Sequence, residues 1–461
     1  MPNELSYLAL GLSIPAGIAV FLVVRNTTAV IVVMLSFAMF LPEVVTLDAP
    51  GVPGFGKYEA ASIACLFGML LRGRRRLRAA RPFRGPEALT LVLFACNVIT
   101  VAVNGDAFAF GPTHLPALGF ADIVSMIYKD LLWFTVPFLV GRAVITSTQE
   151  LRQLLVALAV AGAIYTPLLF IELQMSPQLH TWVYGFHQHT FSQSVRGGGY
   201  RPTVFMTHGL PVALFMAWSV LAAVALTKAR RPLPGVPSPM VAAYLWGFLV
   251  ACKSLGSLLF GTLGSLVLLV APPRLIARIA LVGAIVVLAY PACRNFQLFP
   301  VEQVISVTRS LSEDRAQSLA FRLDMEELLT ARAAERPWFG WGGWGRGLVY
   351  DPKSGRTVSV TDGAWVIAIG SRGIVGFAVN FGFLVWPLVA LRRRLQGVHV
   401  PAERAMLCGL AMMVLIGVLD LIPNGLFMHL IVFFSGALHG ASRGIASAAT
   451  DAAAVPAAPV R

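Results

Sequence analysis

Runs of roughly 17 to 25 apolar residues recur along almost the whole chain, each long enough to cross a hydrocarbon core as a helix. In lipid every backbone N–H and C=O must be satisfied internally, so only helices or closed barrels can span, and no period-2 alternation marks barrel strands. Composition agrees: 57% hydrophobic residues, 13% charged residues and a mean hydropathy of +0.74 lie outside the range of water-soluble domains. The expected fold is all-α, a polytopic integral membrane bundle of about 12–13 transmembrane helices.

Spans are read near 5–24, 28–46, 58–71, 88–103, 122–141, 150–171, 207–227, 240–253, 255–271, 276–292, 364–391, 402–420 and 425–441. The 240–271 segment reads as two short helices meeting around Lys253-Ser254-Leu255-Gly256, or as one broken helix. Charge helps to choose. Lys and Arg favour cytoplasmic loops, and the clusters Arg72–Arg78, Lys228–Arg231, Arg274 with Arg278, and Arg392–Arg394 with Arg404 share one side only if 240–271 crosses twice. Loops near 42–57, 104–118, 172–206 and 293–361 then face outward, with the N-terminus outside and the C-terminus inside.

The organisation expected is N-terminal transmembrane helices over 1–171, an outer loop over 172–206 and central helices over 207–292. A large outer loop over 293–361, C-terminal helices over 362–441 and a disordered cytoplasmic tail over 442–461 follow. No charged n-region precedes residues 5–24 and no small-residue cleavage site follows them, so this span is expected to be retained.

The net charge of +14 resides mostly in the juxtamembrane clusters, where topology and anionic lipid account for it, and nucleic acid is not an expected partner. Five scattered cysteines make no disulfide framework, and His180 with His187-Gln188-His189 has no carboxylate or thiol at ligand spacing, so no metal is expected. The chain lacks a phosphate-binding Gly-Lys-Ser/Thr loop, a dinucleotide fingerprint and an Asp-x-Asp pair, which removes support for ATP-driven transport or nucleotide-sugar chemistry. No cofactor is called for.

The 293–361 loop carries nine Lys/Arg and eight Asp/Glu, the balance of a folded segment outside a bilayer. Ser310-Leu311-Ser312-Glu313 fits a capping box opening a short amphipathic helix that runs to Glu335, before Pro337. Arg315, Ser318 and Arg322 recur at helical spacing on one face, beside an apolar face of Leu319 and Leu323 suited to a membrane surface. Fixed guanidinium groups there suit a phosphate or pyrophosphate; Glu326, four residues after Arg322, allows an intrahelical pair instead.

Trp338-Phe339-Gly340-Trp341-Gly342-Gly343-Trp344-Gly345 is a Gly/Trp turn whose indoles of Trp341 and Trp344 can stack on sugar faces or anchor at the interface. Asp362 stands where the chain re-enters the membrane and can serve as a base for a hydroxyl, or simply as a helix N-cap. Gly373 and Gly376 allow close helix packing one to two turns into the bilayer.

These residues resemble the O-antigen ligase and polymerase superfamily of bacterial surface polysaccharide assembly. The pattern comprises Ser318-x3-Arg322, Arg336-Pro337-x2-Gly340-x-Gly342, Asp362 and Gly373-Ile374-Val375-Gly376, with Gly199-Tyr200-Arg201-Pro202-x2-Phe205 and the polar break Lys253-Ser254 upstream. It covers roughly residues 199–391. Two departures are visible: Asp362-Gly363 stands where the family carries His-Asn, and His208 stands where it often carries Asn.

The resemblance implies a multi-pass protein of the bacterial inner membrane whose active face meets the periplasm. It implies metal-independent, inverting glycosyl transfer from a glycan on undecaprenyl pyrophosphate. Arg201 and Arg322 would hold the pyrophosphate and Asp362 would act on the acceptor hydroxyl, with Arg315, Ser318, Arg336, Trp341, Trp344 and Lys253 binding substrate. Three functions stay open: a repeat-unit polymerase, favoured here; a ligase delivering finished glycan to lipid A-core or another acceptor; and a permease or lipid-linked sugar flippase. Partners would be the lipid-linked glycan, a polysaccharide or lipid acceptor, membrane lipid and other polysaccharide export proteins.

Overall fold

The computed structural model describes residues 1–49, 52–196, 198–233 and 235–454. Apart from three small antiparallel hairpins, at 47–55, 108–115 and 195–200, regular structure in the described residues is helical. Among the described residues, seven helices are long and apolar enough to cross a membrane: Glu4–Val23, Phe120–Val144, Thr148–Met175, Gly209–Lys228, Pro273–Asn295, Ala364–Gln396 and Pro401–Asp420. Four further apolar helices are shorter, Asn26–Phe40, Pro86–Ala102, Ser238–Ala251 and Leu255–Val270. At 1.5 Å per residue the shorter ones rise only about 20–25 Å, less than a typical hydrocarbon core.

Gly209–Lys228 forms the centre of the bundle. It is apolar on every side, its best apolar window is 94% buried, and it contacts Thr148–Met175, Ser238–Ala251, Leu255–Val270 and Pro401–Asp420. Trp218, fully buried, satisfies its one donor on the Met413 carbonyl at 3.0 Å. The 240–271 segment is two helices, Ser238–Ala251 and Leu255–Val270, broken at Lys253 with φ 51°.

Polar contacts sort the loops into two ends. Arg76 pairs with Glu150 at 2.6 Å, Arg152 donates to the Pro232 carbonyl, Lys228 caps the carbonyls of Leu268 and Ala271, and Thr148 meets Glu403, so the basic clusters gather at one end. Asn3 bonds Tyr184, Thr113 donates to the Gly355 carbonyl, and Lys57 donates to the Phe205 carbonyl, so the 41–56, 103–119, 176–208 and 296–363 loops gather at the other.

Three expectations are corrected. Ser310 is not a cap: it sits in the last turn of a separate helix, Val301–Leu311, and its hydroxyl donates to the Val307 carbonyl. The next helix, Glu313–Ala334, starts from Ser312, because a residue already inside one helix cannot supply the extended backbone of another's N-cap. Its apolar face docks on the bundle rather than on a membrane surface: Leu323 and Leu329 are buried, and Glu326 accepts from Tyr290, Arg294 and Trp365. Residues 442–454, expected in a disordered tail, continue the Leu430–Ala454 helix, where buried Ser442 accepts from Arg394 at 2.8 Å; 455–461 lie outside the described residues.

The glycines of the 373–376 motif work differently from the helix packing expected of them. Gly373, at φ 65° and ψ −169°, breaks the Ala364–Gln396 helix, and the 337–342 turn plugs the gap. Ile374 N–H donates to the Pro337 carbonyl at 2.8 Å, while Trp341 and Gly342 N–H donate to the Gly370 and Ser371 carbonyls at 2.8 and 2.9 Å. Gly340, at φ 66°, would put a methyl only 2.5 Å from the Arg372 nitrogen, so the approach of the two backbones requires glycine on both sides.

Candidate functional site

At the polar-loop end the re-entry of the Ala364–Gln396 helix faces the middle of the Glu313–Ala334 helix, and Arg322 Nε lies 3.5 Å from Asp362 Oδ2. Both side chains are about a third exposed, 34% and 32%, so the pair opens to solvent. The intrahelical alternative is not what forms, since Glu326 is taken by Arg294 at 3.2 Å. Nor is Asp362 the N-cap: that position is Gly363, one residue on. The loop after Pro401–Asp420 wraps the re-entry, with Ala364 N–H donating to the Leu421 carbonyl and Gly425 lying against the Asp362 backbone.

Arg201 approaches the same place from the 195–208 segment. It is 5% exposed, donates from Nη2 to the Lys253 carbonyl at 3.0 Å, and leaves Nε unpartnered. Its acidity shows the imbalance: burial first, then the neighbouring guanidiniums of Arg196 and Arg322, lower its pKa from the usual 12.5 to about 10. Among the described residues this buried cation has no carboxylate partner, an arrangement that costs stability unless an anion completes it. Gly209 makes room, because a methyl there would lie 2.2 Å from Arg201 Cδ.

Lys253 supplies its carbonyl through its left-handed backbone, while its ammonium reaches the Arg196 carbonyl at 3.2 Å and holds the 195–200 hairpin in place. His208 stands beside Arg201 as the N-cap of Gly209–Lys228, its Nδ1 accepting from Leu210 N–H at 3.1 Å. That bond places its proton on Nε2. Burial, then the charges of Arg201, His189, Arg322 and Arg196, push its pKa down to about 3. His208 is therefore a neutral N–H donor at physiological pH, as an asparagine amide would be.

Arg201, Lys253, Arg322 and Asp362, expected from sequence, thus converge, and Ser318 is exposed one helical turn before Arg322. The Arg315 side chain lies outside the described residues. Arg336 and Trp341 belong to a different assembly. Arg332 and Arg336 lie 3.5 and 4.4 Å from the Trp341 ring, and the 4%-exposed indole donates to the Arg332 carbonyl. Arg336 also pairs with Asp106 at 3.1 Å and bonds Asn104 Oδ1, so both residues tie the 103–106 loop to the turn and present little to a ligand. Trp344 is exposed and lies on a separate cleft.

Sequence reasoning missed Arg196, His189, Asn424 and the role of Asp420. The 7%-exposed Asp420 carboxylate accepts from Asn424 at 3.0 Å and lies within electrostatic range of Arg322, and the His189 ring lies 4.9 Å from His208. Asp420 and Asn424 carried one signal, their position at span ends, whereas His189 and Arg196 lie inside the 172–206 loop. Among the described residues no three His, Cys, Asp or Glu side chains assemble as metal ligands. Neither a known family model nor a curated protein matches the chain.

Proposed function

We propose that the protein is a membrane glycosyltransferase of surface polysaccharide assembly, moving glycan from undecaprenyl pyrophosphate on the periplasmic side, as a repeat-unit polymerase. One observation carries the reading: a buried, uncompensated Arg201 converges with the solvent-open Arg322–Asp362 pair at the loop end of an apolar bundle. Cations that lack a counter-charge suit a pyrophosphate, and a carboxylate beside them suits a hydroxyl to be activated.

In this reading the acceptor hydroxyl oxygen attacks the anomeric carbon and its proton passes to Asp362. The bond from that carbon to the pyrophosphate oxygen breaks, and the electron pair leaves with the lipid pyrophosphate. Arg201 and Arg322 stabilise the charge that develops there, while the His208 Nε2–H donates to the same anion. Binding the pyrophosphate draws Arg322 from Asp362 and frees the carboxylate for its role as base.

The test is the chain length of undecaprenyl-linked glycan in cells with wild type, Arg322→Ala or Asp362→Asn. Single repeat units without polymer support a polymerase. Long lipid-linked chains indicate a ligase, and unchanged glycan in both variants overturns catalysis at this pair and favours transport.

A further inference from the structure

A cleft of different chemistry opens elsewhere among the polar loops. It encloses about 770 Å³ between the 43–56 loop, the first turn of the Lys57–Arg72 helix, one side of the Phe120–Asp130 helix continuing to Trp133, and Trp344. That volume falls within the roughly 300–1,000 Å³ of sites that hold small ligands. Two of its cations are already matched, Lys57 by Glu43 and Arg372, at 2.7 Å, by Asp130. Asp48, Glu59 and Asp122 then stand against Lys129 alone, so the walls disfavour an anion.

Aromatic rings supply the rest. Trp344, 63% exposed, is held at the rim by a bond from its indole N–H to Asp122 at 2.7 Å and by a left-handed backbone at φ 58°. Trp133 is fixed by Glu59 at 2.6 Å and stacked on Phe427. A solvent-facing indole kept in strained backbone beside carboxylate acceptors matches the apolar faces and hydroxyl edges of a pyranose. The cleft also adjoins the cation cluster through one wall: Tyr58 at its floor faces Thr207, next to His208, and Phe427 lies two residues beyond Gly425, which touches Asp362.

We infer that this cleft is a saccharide subsite that seats an uncharged stretch of glycan across the wall from the pyrophosphate-binding arginines. The inference rests on the transferase reading for why a glycan is present, and names where its sugars lie.

The experiment titrates full-length protein in micelles, by calorimetry, with the water-soluble oligosaccharide that mild acid releases from the lipid-linked glycan of the expressing cells. Wild type binds; Trp344→Ala weakens binding roughly tenfold, the equivalent of one stacking contact. Trp344→Phe recovers most of the affinity, Ser125→Trp, which fills the cleft, abolishes binding, and Arg322→Ala leaves it unchanged. Equal affinity in wild type and Ser125→Trp, loss confined to Arg322→Ala, or no binding to wild type overturns the subsite. Failure of the transferase reading is seen separately, as unchanged lipid-linked chain length in Arg322→Ala and Asp362→Asn cells.

Discussion

Gly373→Ala is expected to unlatch the large loop from the bundle. A methyl at this position would lie 2.2 Å from the Trp338 carbonyl carbon, 2.3 Å from its oxygen and 2.5 Å from the Phe339 nitrogen, all backbone atoms without rotamers to yield. Its φ of 65° costs an L-residue about 1–2 kcal/mol. Separation of the backbones also loses the bonds from Ile374 and Val375 N–H to the Pro337 and Trp338 carbonyls, each about 0.5–1.5 kcal/mol. Reduced entropy of the unfolded chain returns about 0.4–1 kcal/mol, leaving a net loss of about 2–4 kcal/mol. Gly370→Ala is the control: it lies in the same helix, with no atom within 4 Å of an added methyl. Equilibrium urea unfolding in mixed micelles compares the two, with trypsin cleavage of the 313–336 segment as a local readout. Gly373→Ala as stable and as protease-resistant as Gly370→Ala would refute the latch.

Arg201→Gln is expected to move stability and binding in opposite directions: it removes a buried charge, raising stability by about 1–2 kcal/mol, and weakens binding of inorganic pyrophosphate at least tenfold, both measurable on one preparation. Loss of stability with unchanged binding would show a structural role. Burial lowers the pKa of His180 and His208 from the usual 6.5 to about 4 and about 3. A histidine lowered in the folded state contributes stability that is complete above pH 6.5 and lost as pH falls toward the folded values, so the unfolding midpoint should decline between pH 6.5 and 4. His208→Asn should flatten part of that decline while preserving the cap. Asp106→Asn weakens the ties to Arg336 and Arg346; because that carboxylate is half exposed, the cost is expected to stay under about 1 kcal/mol in the same unfolding assay.

The bundle was legible because apolar run length is a one-dimensional property, and so was the helix carrying Arg322, because a 3.6-residue period survives without tertiary information. Arg201, Lys253 and Asp362 stood at or near span ends and Arg322 on a periodic helix face, so each was visible alone. What joins them was not: the 420–425 loop, His189 and Arg196 reach the site from elements far apart in sequence. The Gly/Trp turn misled in an instructive way. Exposed-looking Trp341 and Arg336 are consumed by mutual stacking and by Asp106, while the neighbouring Trp344, of the same type and in the same turn, is held by Asp122 with its ring exposed. Sequence does not say which indole a loop spends on itself, because that depends on where Asn104, Asp106 and Asp122 fall in space.

Charge segregation gives the cation cluster and the cleft a common logic. On one side of the Thr207–His208 wall lie guanidiniums with too few carboxylates; on the other, after Lys57 and Arg372 are paired, lie carboxylates with too few cations. A single charge-neutral cleft would bind either half of a lipid-pyrophosphate glycan indifferently, at the cost of register. For the proposed substrate, splitting the charges would make the wrong orientation unfavourable at both ends, since a pyrophosphate in the acidic cleft would meet repulsion and an uncharged sugar beside Arg201 would leave that cation uncompensated. Arg322 is the element that responds: its carboxylate partner is the proposed base, so the anion that completes the cation cluster also exposes Asp362. Activation of the hydroxyl would then follow donor binding, which limits proton abstraction to the moment when a leaving group is in place.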